Sequence, residues 1–219
     1  TKIALLGASS KTGLEFIELS KYYPDVEVYA FVRNPDKLEN ELKTLPSNLS
    51  IVRFNVSGTN EWEAAIEECT VWVSIIGITG LMAARQPGDL YKKTANLLTA
   101  LSDKYHPERI LVVTSGGVVE AEGEPWILKK VLKPYFLNPM YADMRQMEHI
   151  IAESDMKYTI VRPPYLTNGK MKKDYRIVVD GWFKDDKVLS RKDLAHFLFT
   201  NAINLEERYY RRVVGLSYL

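Results

Sequence analysis

The sequence predicts an α/β fold in which a doubly wound parallel sheet carries helices on both faces. Short apolar segments alternate with segments of helical periodicity along the chain, which is the pattern of a parallel sheet. The segment 71–77 is apolar on both faces, as expected for a central strand. A turn with two glycines follows the first apolar segment and opens a helix. The predicted strands are 2–6, 26–32, 49–54, 71–77, 109–114 and 158–162, with a closing strand over 211–215.

A single domain over residues 1–219 is expected, because this length suits one sizeable core and no internal repeat or low-complexity segment interrupts the alternation. Pro163 and Pro164 end the sixth strand, since proline cannot continue a strand ladder. We therefore expect residues from about 163 to 190 to leave the sheet and form a small region on the substrate side. A helix with a lysine-rich exposed face is predicted over 125–136.

Composition excludes several classes of function. The formal net charge of +1 gives no reason to expect a nucleic acid or an anionic membrane as partner. Cys69 is the one cysteine, so an intramolecular disulfide and a cysteine metal cluster are both excluded, and the three histidines lack metal-ligand spacing. No apolar run reaches the length of a membrane span, and the chain begins in a predicted strand. We expect a cytoplasmic protein without a metal.

The turn after the first strand, residues 7–13, has the character of an anion site. Gly7 permits a sharp turn off the strand, and Gly13 allows close packing of the helix that follows. The backbone N–H groups and the positive end of the helix dipole would favour a pyrophosphate there. Ser10 occupies the middle position, where the usual fingerprint of a dinucleotide site has a second glycine. An ordinary strand–turn–helix connection is the alternative interpretation.

The ends of the second and third strands would lie beside the adenosine half of a dinucleotide. Arg33 follows the second strand, where an arginine accommodates a 2′-phosphate and an acidic residue would instead bind the ribose hydroxyls. The sequence therefore favours NADP over NAD. Asn55 follows the third strand, at the rim of the predicted adenine pocket. Arg33 as a solvated surface residue and Asn55 as a turn former remain the alternatives.

The ends of the later strands contain the candidates for chemistry. Gly77 ends the fourth strand close to the predicted cofactor position. Ser115 ends the fifth strand and is followed by two glycines that let a substrate approach, so it could orient a reacting group or simply cap its own turn. Tyr165 follows the Pro163–Pro164 pair and would face the substrate pocket, or else be packed in a loop.

One absent motif narrows the chemistry. Many short-chain dehydrogenases use a Tyr-x-x-x-Lys pair to pass a proton to a carbonyl, and no tyrosine here has a lysine four residues later. Tyr141 is followed by Arg145, and a permanently protonated arginine is no equivalent of that lysine. Alcohol–ketone chemistry, epimerisation and dehydration are therefore disfavoured.

Taken together, these segments resemble the atypical short-chain dehydrogenases, and within them the flavin reductase and biliverdin-IXβ reductase group with its NmrA-like neighbours. The resemblance rests on segments 7–14, 31–34, 113–115, 144–157, 161–164 and 190–197. It implies that Arg33 binds a 2′-phosphate, Asn55 the adenine edge, and that Ser115 lies beside the nicotinamide. The residues assigned to the pyrophosphate are Gly7, Ser9, Ser10, Lys11, Thr12 and Gly13, and Gly77, Thr114 and Pro163 are assigned to the cofactor as well.

The resemblance implies an NADPH-dependent reductase that transfers hydride to a flat conjugated acceptor, such as a flavin, a quinone or a linear tetrapyrrole. Ser115 would orient the reactants and Tyr165, which stands where the biliverdin reductase has a histidine, would shape the acceptor site. The alternative is a non-catalytic, NmrA-like regulatory protein that binds NADP(H). A monomer or weak dimer is expected.

Overall fold

An eight-stranded sheet forms the centre of the computed structural model, which describes residues 1–58, 62–78, 80–119, 135, 137–181, 183 and 188–218. Across this sheet the strand order is β3-β2-β1-β4-β5-β6-β10-β8, and β7 pairs with β9 in a separate small sheet. The strands are β1 (Lys2–Leu6), β2 (Glu27–Val32), β3 (Leu49–Arg53), β4 (Val71–Ser74), β5 (Arg109–Val113), β6 (Tyr158–Arg162), β7 (Tyr165–Thr167), β8 (Arg176–Val179), β9 (Val188–Ser190) and β10 (Arg212–Ser217). All neighbours in the large sheet are parallel except β8, which is antiparallel to β10. The doubly wound parallel sheet predicted from the sequence is confirmed.

Helices cover both faces of this sheet. They are α1 (Lys11–Ser20), α2 (Pro35–Glu41), α3 (Glu63–Glu67), α4 (Leu81–Arg85), α5 (Leu90–Tyr105), α6 (Asn138–Glu153) and α7 (Arg191–Asn204). Helices α1 and α7 pack together on one face, and α5 packs with α6 on the other. Within the described ranges, no helix is long and apolar enough to cross a membrane. Apart from Tyr135, the helix predicted over 125–136 lies outside the described residues.

Successive side chains of β1 point to opposite faces of the sheet and are buried on both, which explains why this strand is central. Ile3 and Leu5 point into the core beneath α1 and α7, whereas Ala4 and Leu6 point into the core beneath α5 and α6. All four side chains are fully buried. A strand with four consecutive buried apolar residues fits only a location that is covered by helices on both faces.

The order of the strands reverses between β1 and β4. The chain leaves β1 towards β2 and β3 on one side, and it continues through β4, β5 and β6 on the other. In open α/β sheets the connections diverge at such a point and leave a crevice at the carboxyl ends of the strands. The glycine turn at Gly7 lies at this crevice.

The segment that follows β6 leaves the sheet, and part of it returns. After Arg162 the chain forms β7, which pairs with β9, and Arg176–Val179 then adds the antiparallel edge strand β8. Strand β8 was not predicted from the sequence. A four-residue edge strand whose residues are all at least partly exposed gives only a weak hydrophobic periodicity. Residues 182 and 184–187 of this segment lie outside the described ranges.

A buried aspartate fastens this segment to the body of the protein. Asp193, in the first turn of α7, is fully buried and accepts hydrogen bonds from the backbone N–H groups of Lys172 and Lys173. The hydroxyls of Ser190 and Tyr218 also donate to its carboxylate. Burial raises the pKa of Asp193, but the bonds from Tyr218, Ser190 and the two amides outweigh it, so the net pKa is lowered. The carboxylate thus joins three parts of the chain in its charged form.

We expect Asp193→Asn to lower the free energy of unfolding by about 2–4 kcal/mol, because an amide cannot accept from all four donors and leaves some of them buried without a partner. Urea denaturation at neutral pH measures this difference. The matched control is Asp174→Asn on the same segment, an exposed position at which the change should stay within about 0.5 kcal/mol.

The pH dependence provides a second check on the same residue. Because the pKa of Asp193 is lowered in the folded protein, its contribution is complete above the unfolded aspartate pKa of about 3.9 and is lost as the pH falls through the folded value. The stability gap between wild type and Asp193→Asn should therefore shrink below about pH 4. A gap that stays constant from neutral pH to pH 3 would contradict a charged Asp193 in the fold.

Candidate functional site

The turn after β1 lies against the backbone at the end of β4. Gly7 has φ +81°, and a Cβ atom at this position would lie 2.9 Å from the carbonyl carbon and oxygen of Ile75. Its N–H donates to the carbonyl of Phe31 at the end of β2, at 3.2 Å. A side chain at Gly7 would therefore be strained and would also push β4 away. The position predicted to need glycine does need it.

The second glycine of the turn has a different role from the one expected. A Cβ atom at Gly13 would lie 2.4 Å from the carbonyl oxygen of Ala8, so the close contact that glycine permits here is to the backbone of the turn and not to a strand of the sheet. Gly13 therefore closes the turn on the first residues of α1. Close packing was predicted, but its partner is Ala8.

Ser10 is the N-cap of α1. Its Oγ accepts from the N–H of Gly13 at 3.0 Å, and its own N–H donates to the carbonyl of Gly7 at 3.0 Å. A serine can stand in the middle position because it satisfies one of the unpaired donors at the helix start. The hydroxyl proton of Ser10 is not used by the cap, so it remains available to an anion.

The start of α1 presents an electropositive surface. The N–H groups of Lys11 and Thr12 belong to the first helical turn, where no intrahelical acceptor exists. The first turn contains no acidic residue, and the Lys11 side chain is exposed. Ser9 and Ser10 are half-buried on the approach to this helix. Of the residues predicted for the pyrophosphate, Gly7, Ser10 and Gly13 use their N–H groups within the fold. The N–H groups of Lys11 and Thr12 and the hydroxyl proton of Ser10 are the donors that this helix N-terminus offers to an anion.

Arg33 is exposed at the end of β2, two residues after Phe31, whose carbonyl binds the turn. It makes no hydrogen bond or ion pair within the part of the chain that the structure describes. Asn34 is the N-cap of α2, accepting from the N–H of Lys37 at 3.2 Å. The guanidinium therefore stands beside the turn without a carboxylate neighbour to neutralise it.

Asn55 is exposed beyond the end of β3, and its Oδ1 accepts from the N–H of Ser57 at 3.2 Å. This is an Asx turn, the local role that the sequence left open. The amide NH₂ group of Asn55 is not used in the turn.

Thr114, at the end of β5, is held towards α6. Its hydroxyl donates to Oε1 of Glu148 at 2.7 Å, and its N–H donates to the carbonyl of Val161. Arg162 makes two bonds to the same carboxylate, at 3.0 and 2.6 Å. Thr114 is buried, so this predicted cofactor residue is part of a buried polar cluster between β5, β6 and α6.

Ser115 lies next to this cluster and is half-buried. Its Oγ accepts from the N–H of Gly117 at 3.2 Å, which makes it the cap of the short 3-10 helix Gly116–Val118. The N–H of Gly116 donates to the carbonyl of Pro163 at 2.8 Å, so Pro163 joins the ends of β5 and β6. The hydroxyl proton of Ser115 is not used by its cap.

Helix α6 places Tyr141 directly under this turn. A Cβ atom at Gly117 would lie 2.2 Å from the hydroxyl of Tyr141, so a larger residue there would have to displace the Tyr141 ring. Arg145, one turn later, donates to the carbonyl of Val118 at 3.4 Å. Of the residues predicted for this end of the site, Ser115 and Pro163 are brought together through Gly116. Tyr165 lies in β7, and its side chain is 77% exposed.

The sequence analysis missed Tyr91 and Asp143. The Tyr91 hydroxyl accepts from the N–H of Ile78 at 3.1 Å, in the turn that follows β4. Asp143 of α6 accepts from the N–H groups of Tyr91 and Lys92, at 2.8 and 3.0 Å, and so caps α5 from a neighbouring helix. Both side chains are buried. Tyr91 lies in the first turn of α5 and Asp143 in the interior of α6, and neither position distinguishes a bonded polar group from a solvated one in the sequence.

No group of three or more His, Cys, Asp and Glu residues suited to a metal occurs within the described ranges. Among the described residues, the polar groups discussed at this edge are instead backbone amides, hydroxyls and the exposed Arg33 guanidinium. Such a donor set suits an elongated anionic ligand.

The amino-acid sequence is similar to those of known proteins. Over 97% of its length, the chain is similar to an oxidoreductase from Pestalotiopsis microspora, with 24% identity over 223 residues that cover 84% of that protein.

Solved structures share the fold. A short-chain dehydrogenase/reductase from Veillonella parvula in complex with NADP superposes with a TM-score of 0.76 at 19% identity, covering 99% of this chain and 94% of that one. The anaerobilin reductase ChuY from Escherichia coli O157:H7 superposes with a TM-score of 0.72 at 18% identity, covering 99% of this chain and 97% of that one. A candidate NADH-flavin reductase from Streptococcus pneumoniae superposes with a TM-score of 0.72 at 15% identity, covering 100% of this chain and 99% of that one.

A family model described as NAD(P)H-binding matches residues 7–204. The match begins at Gly7 in the turn after β1 and ends with the last residue of α7, so it includes that turn and the ends of β2 to β6. The family resemblance predicted from the sequence is confirmed. This chain belongs to the NAD(P)H-binding family.

Proposed function

We propose that the protein is an NADPH-dependent reductase that transfers hydride to a flat conjugated acceptor, such as a flavin, a quinone or a linear tetrapyrrole. The observation that carries the proposal is the order of groups along one edge of the sheet. Arg33 follows β2, the start of α1 follows β1, and Ser115 follows β5. This is the order of the 2′-phosphate, pyrophosphate and nicotinamide in an extended NADPH.

The donors around α1 fit a pyrophosphate. The amides of Lys11 and Thr12, the hydroxyl proton of Ser10 and the exposed Lys11 side chain would hold it, and the helix dipole adds a favourable potential. Gly7 and Gly13 keep the turn tight enough for these donors to converge.

The preference for NADPH over NADH rests on Arg33. A guanidinium pairs with a phosphate through two parallel N–H···O bonds, and Arg33 has no competing carboxylate within the described residues. One structural neighbour contains NADP and another is named for NADH, so the neighbours support either cofactor.

The reduced nicotinamide, when bound, would supply the hydride, and water can protonate the heteroatoms of such acceptors. The chain's own residues would then contribute mainly proximity and orientation. Ser115, held by the N–H of Gly117, would donate its hydroxyl proton to a polar atom of the acceptor. The exposed ring of Tyr165 would shape the mouth of the acceptor site. The names of an oxidoreductase relative and of an anaerobilin reductase neighbour support this class of activity.

A second candidate is a non-catalytic regulatory protein that binds NADP(H). The observation that favours it is that the polar side chains near Ser115 bind one another and so hold the fold together. The Thr114 hydroxyl, the Glu148 carboxylate and the Arg162 guanidinium bind one another. Turnover distinguishes the two candidates.

We expect Arg33→Ala to weaken NADPH binding about tenfold to a hundredfold, because hydrogen bonds to a charged group contribute about 1.5–3 kcal/mol. The affinity for NADH should change by less than about threefold, since it lacks the 2′-phosphate. Fluorescence titration of both cofactors measures this. Arg211→Ala, an exposed arginine beside the start of β10, is the matched control. Equal weakening of both cofactors would show that Arg33 does not read the 2′-phosphate.

We expect Ser115→Ala to lower the rate of NADPH oxidation with a productive acceptor about tenfold, the effect of one lost hydrogen bond in the transition state. The Kd for NADPH should remain within about threefold, because the serine would act on the acceptor. Steady-state assays with FMN, a quinone and a linear tetrapyrrole measure the rate. Ser50→Ala, at an exposed position on β3, is the control. Tight NADPH binding by the wild type without oxidation by any of the three acceptors would favour the regulatory protein.

A further inference from the structure

Tyr91 has a buried hydroxyl with an unused proton. The side chain is 2% exposed, and its oxygen accepts from the N–H of Ile78 at 3.1 Å. Within the described residues, no carbonyl or side-chain oxygen accepts the proton of this hydroxyl. The hydroxyl therefore keeps one free donor capacity, which an acceptor atom of a ligand could use.

The space beside this hydroxyl is open. Gly77 is exposed, and the position that its Cβ atom would occupy has one heavy atom within 4 Å in the described structure, the Tyr91 hydroxyl oxygen at 3.2 Å. The oxygen therefore forms the wall of a space that a glycine keeps free. Any larger residue at position 77 would fill it.

The hydroxyl is also held rigidly in this place. Asp143 binds the N–H groups of Tyr91 and Lys92 and so fixes the start of α5 against α6. Burial raises the pKa of Tyr91 to about 12, so the hydroxyl stays protonated at neutral pH and can act as a donor.

The strand order assigns this space to one half of a dinucleotide. Arg33 and Asn55, at the ends of β2 and β3, lie on the adenosine side of the β1 turn. Gly77 follows β4 on the other side, towards Ser115. A ligand oxygen next to Tyr91 would therefore belong to the nicotinamide half.

We propose that Tyr91 is a cofactor-binding residue, whose hydroxyl donates to a ribose or phosphate oxygen of the nicotinamide half of the dinucleotide above Gly77. The inference rests on the proposed use of NADPH and adds a residue outside the glycine turn. The same hydroxyl, by accepting from Ile78, keeps the turn after β4 in the position that receives the ligand.

The test compares NADPH with 2′,5′-ADP, which contains the adenosine half alone. We expect Tyr91→Phe to raise the Kd of NADPH about tenfold, the effect of one hydrogen bond to a polar or charged ligand atom, and to leave the Kd of 2′,5′-ADP within about twofold. Isothermal titration calorimetry measures both. Tyr105→Phe is the matched control, since it removes a tyrosyl hydroxyl from the other end of α5, where that hydroxyl binds Glu63 at 2.9 Å. It should change neither affinity.

A second variant tests the open space. Gly77→Ala places a methyl group 3.2 Å from the Tyr91 oxygen and should also weaken NADPH without weakening 2′,5′-ADP. A purely structural Tyr91 would lower stability on Tyr91→Phe and leave both affinities unchanged, and that result would overturn the inference. Equal weakening of both ligands would overturn it too. Failure of the proposed NADPH preference is visible separately, in wild-type titrations with NADPH and NADH.

Discussion

The approach of Gly7 to the backbone of Ile75 fixes the turn after β1, the central part of the candidate site, between the ends of β2 and β4. At φ +81° and with only 2.9 Å available to a Cβ atom, the turn after β1 touches the end of β4 directly. The same residue binds the carbonyl of Phe31, so the ends of β2, β1 and β4 are held at fixed spacing. A bulkier residue would separate the donors of α1 from both Arg33 and Gly77. The contact therefore couples the turn after β1 to the ends of both neighbouring strands, β2 and β4, at once.

Helix α6 organises the other side of the crevice. Asp143 caps α5, Tyr141 lies under Gly117, and Glu148 binds Thr114 together with Arg162. One helix thus sets the turn after β4, through Tyr91, and the turn after β5, through Thr114. The carboxylates of Asp143 and Glu148 are buried and hold neighbouring parts of the fold together, so their acceptor capacity is already used. The polar groups left at this side of the crevice are hydroxyl donors such as those of Ser115 and Tyr91. Hydroxyl donors suit a reaction in which the cofactor supplies the reactivity and the protein supplies orientation.

The sequence predicts the local part of this arrangement. Gly7, Gly13 and Arg33 could be placed because their roles depend on a strand, a turn and a helix that adjoin in the chain. Ser10 could be located but not explained, since its bond to Gly13 requires the geometry of the cap. The missed contacts join distant residues: Asp143 lies 52 positions from Tyr91, and Glu148 lies 34 from Thr114. A polar side chain within a helix has the same pattern whether it is solvated or bound to a distant partner, so no spacing could reveal these pairs.

In the function we propose, the bound nicotinamide would lie beside Ser115 and pass its hydride directly to an acceptor. A single-turnover measurement tests it most directly: the protein is saturated with NADPH that carries deuterium on one face of C4, then mixed anaerobically with FMN, a quinone or a linear tetrapyrrole. The account predicts oxidation by at least one acceptor, slowed by deuterium on one face and not on the other. Saturable NADPH binding without oxidation by any of them, or oxidation insensitive to deuterium on either face, would contradict it.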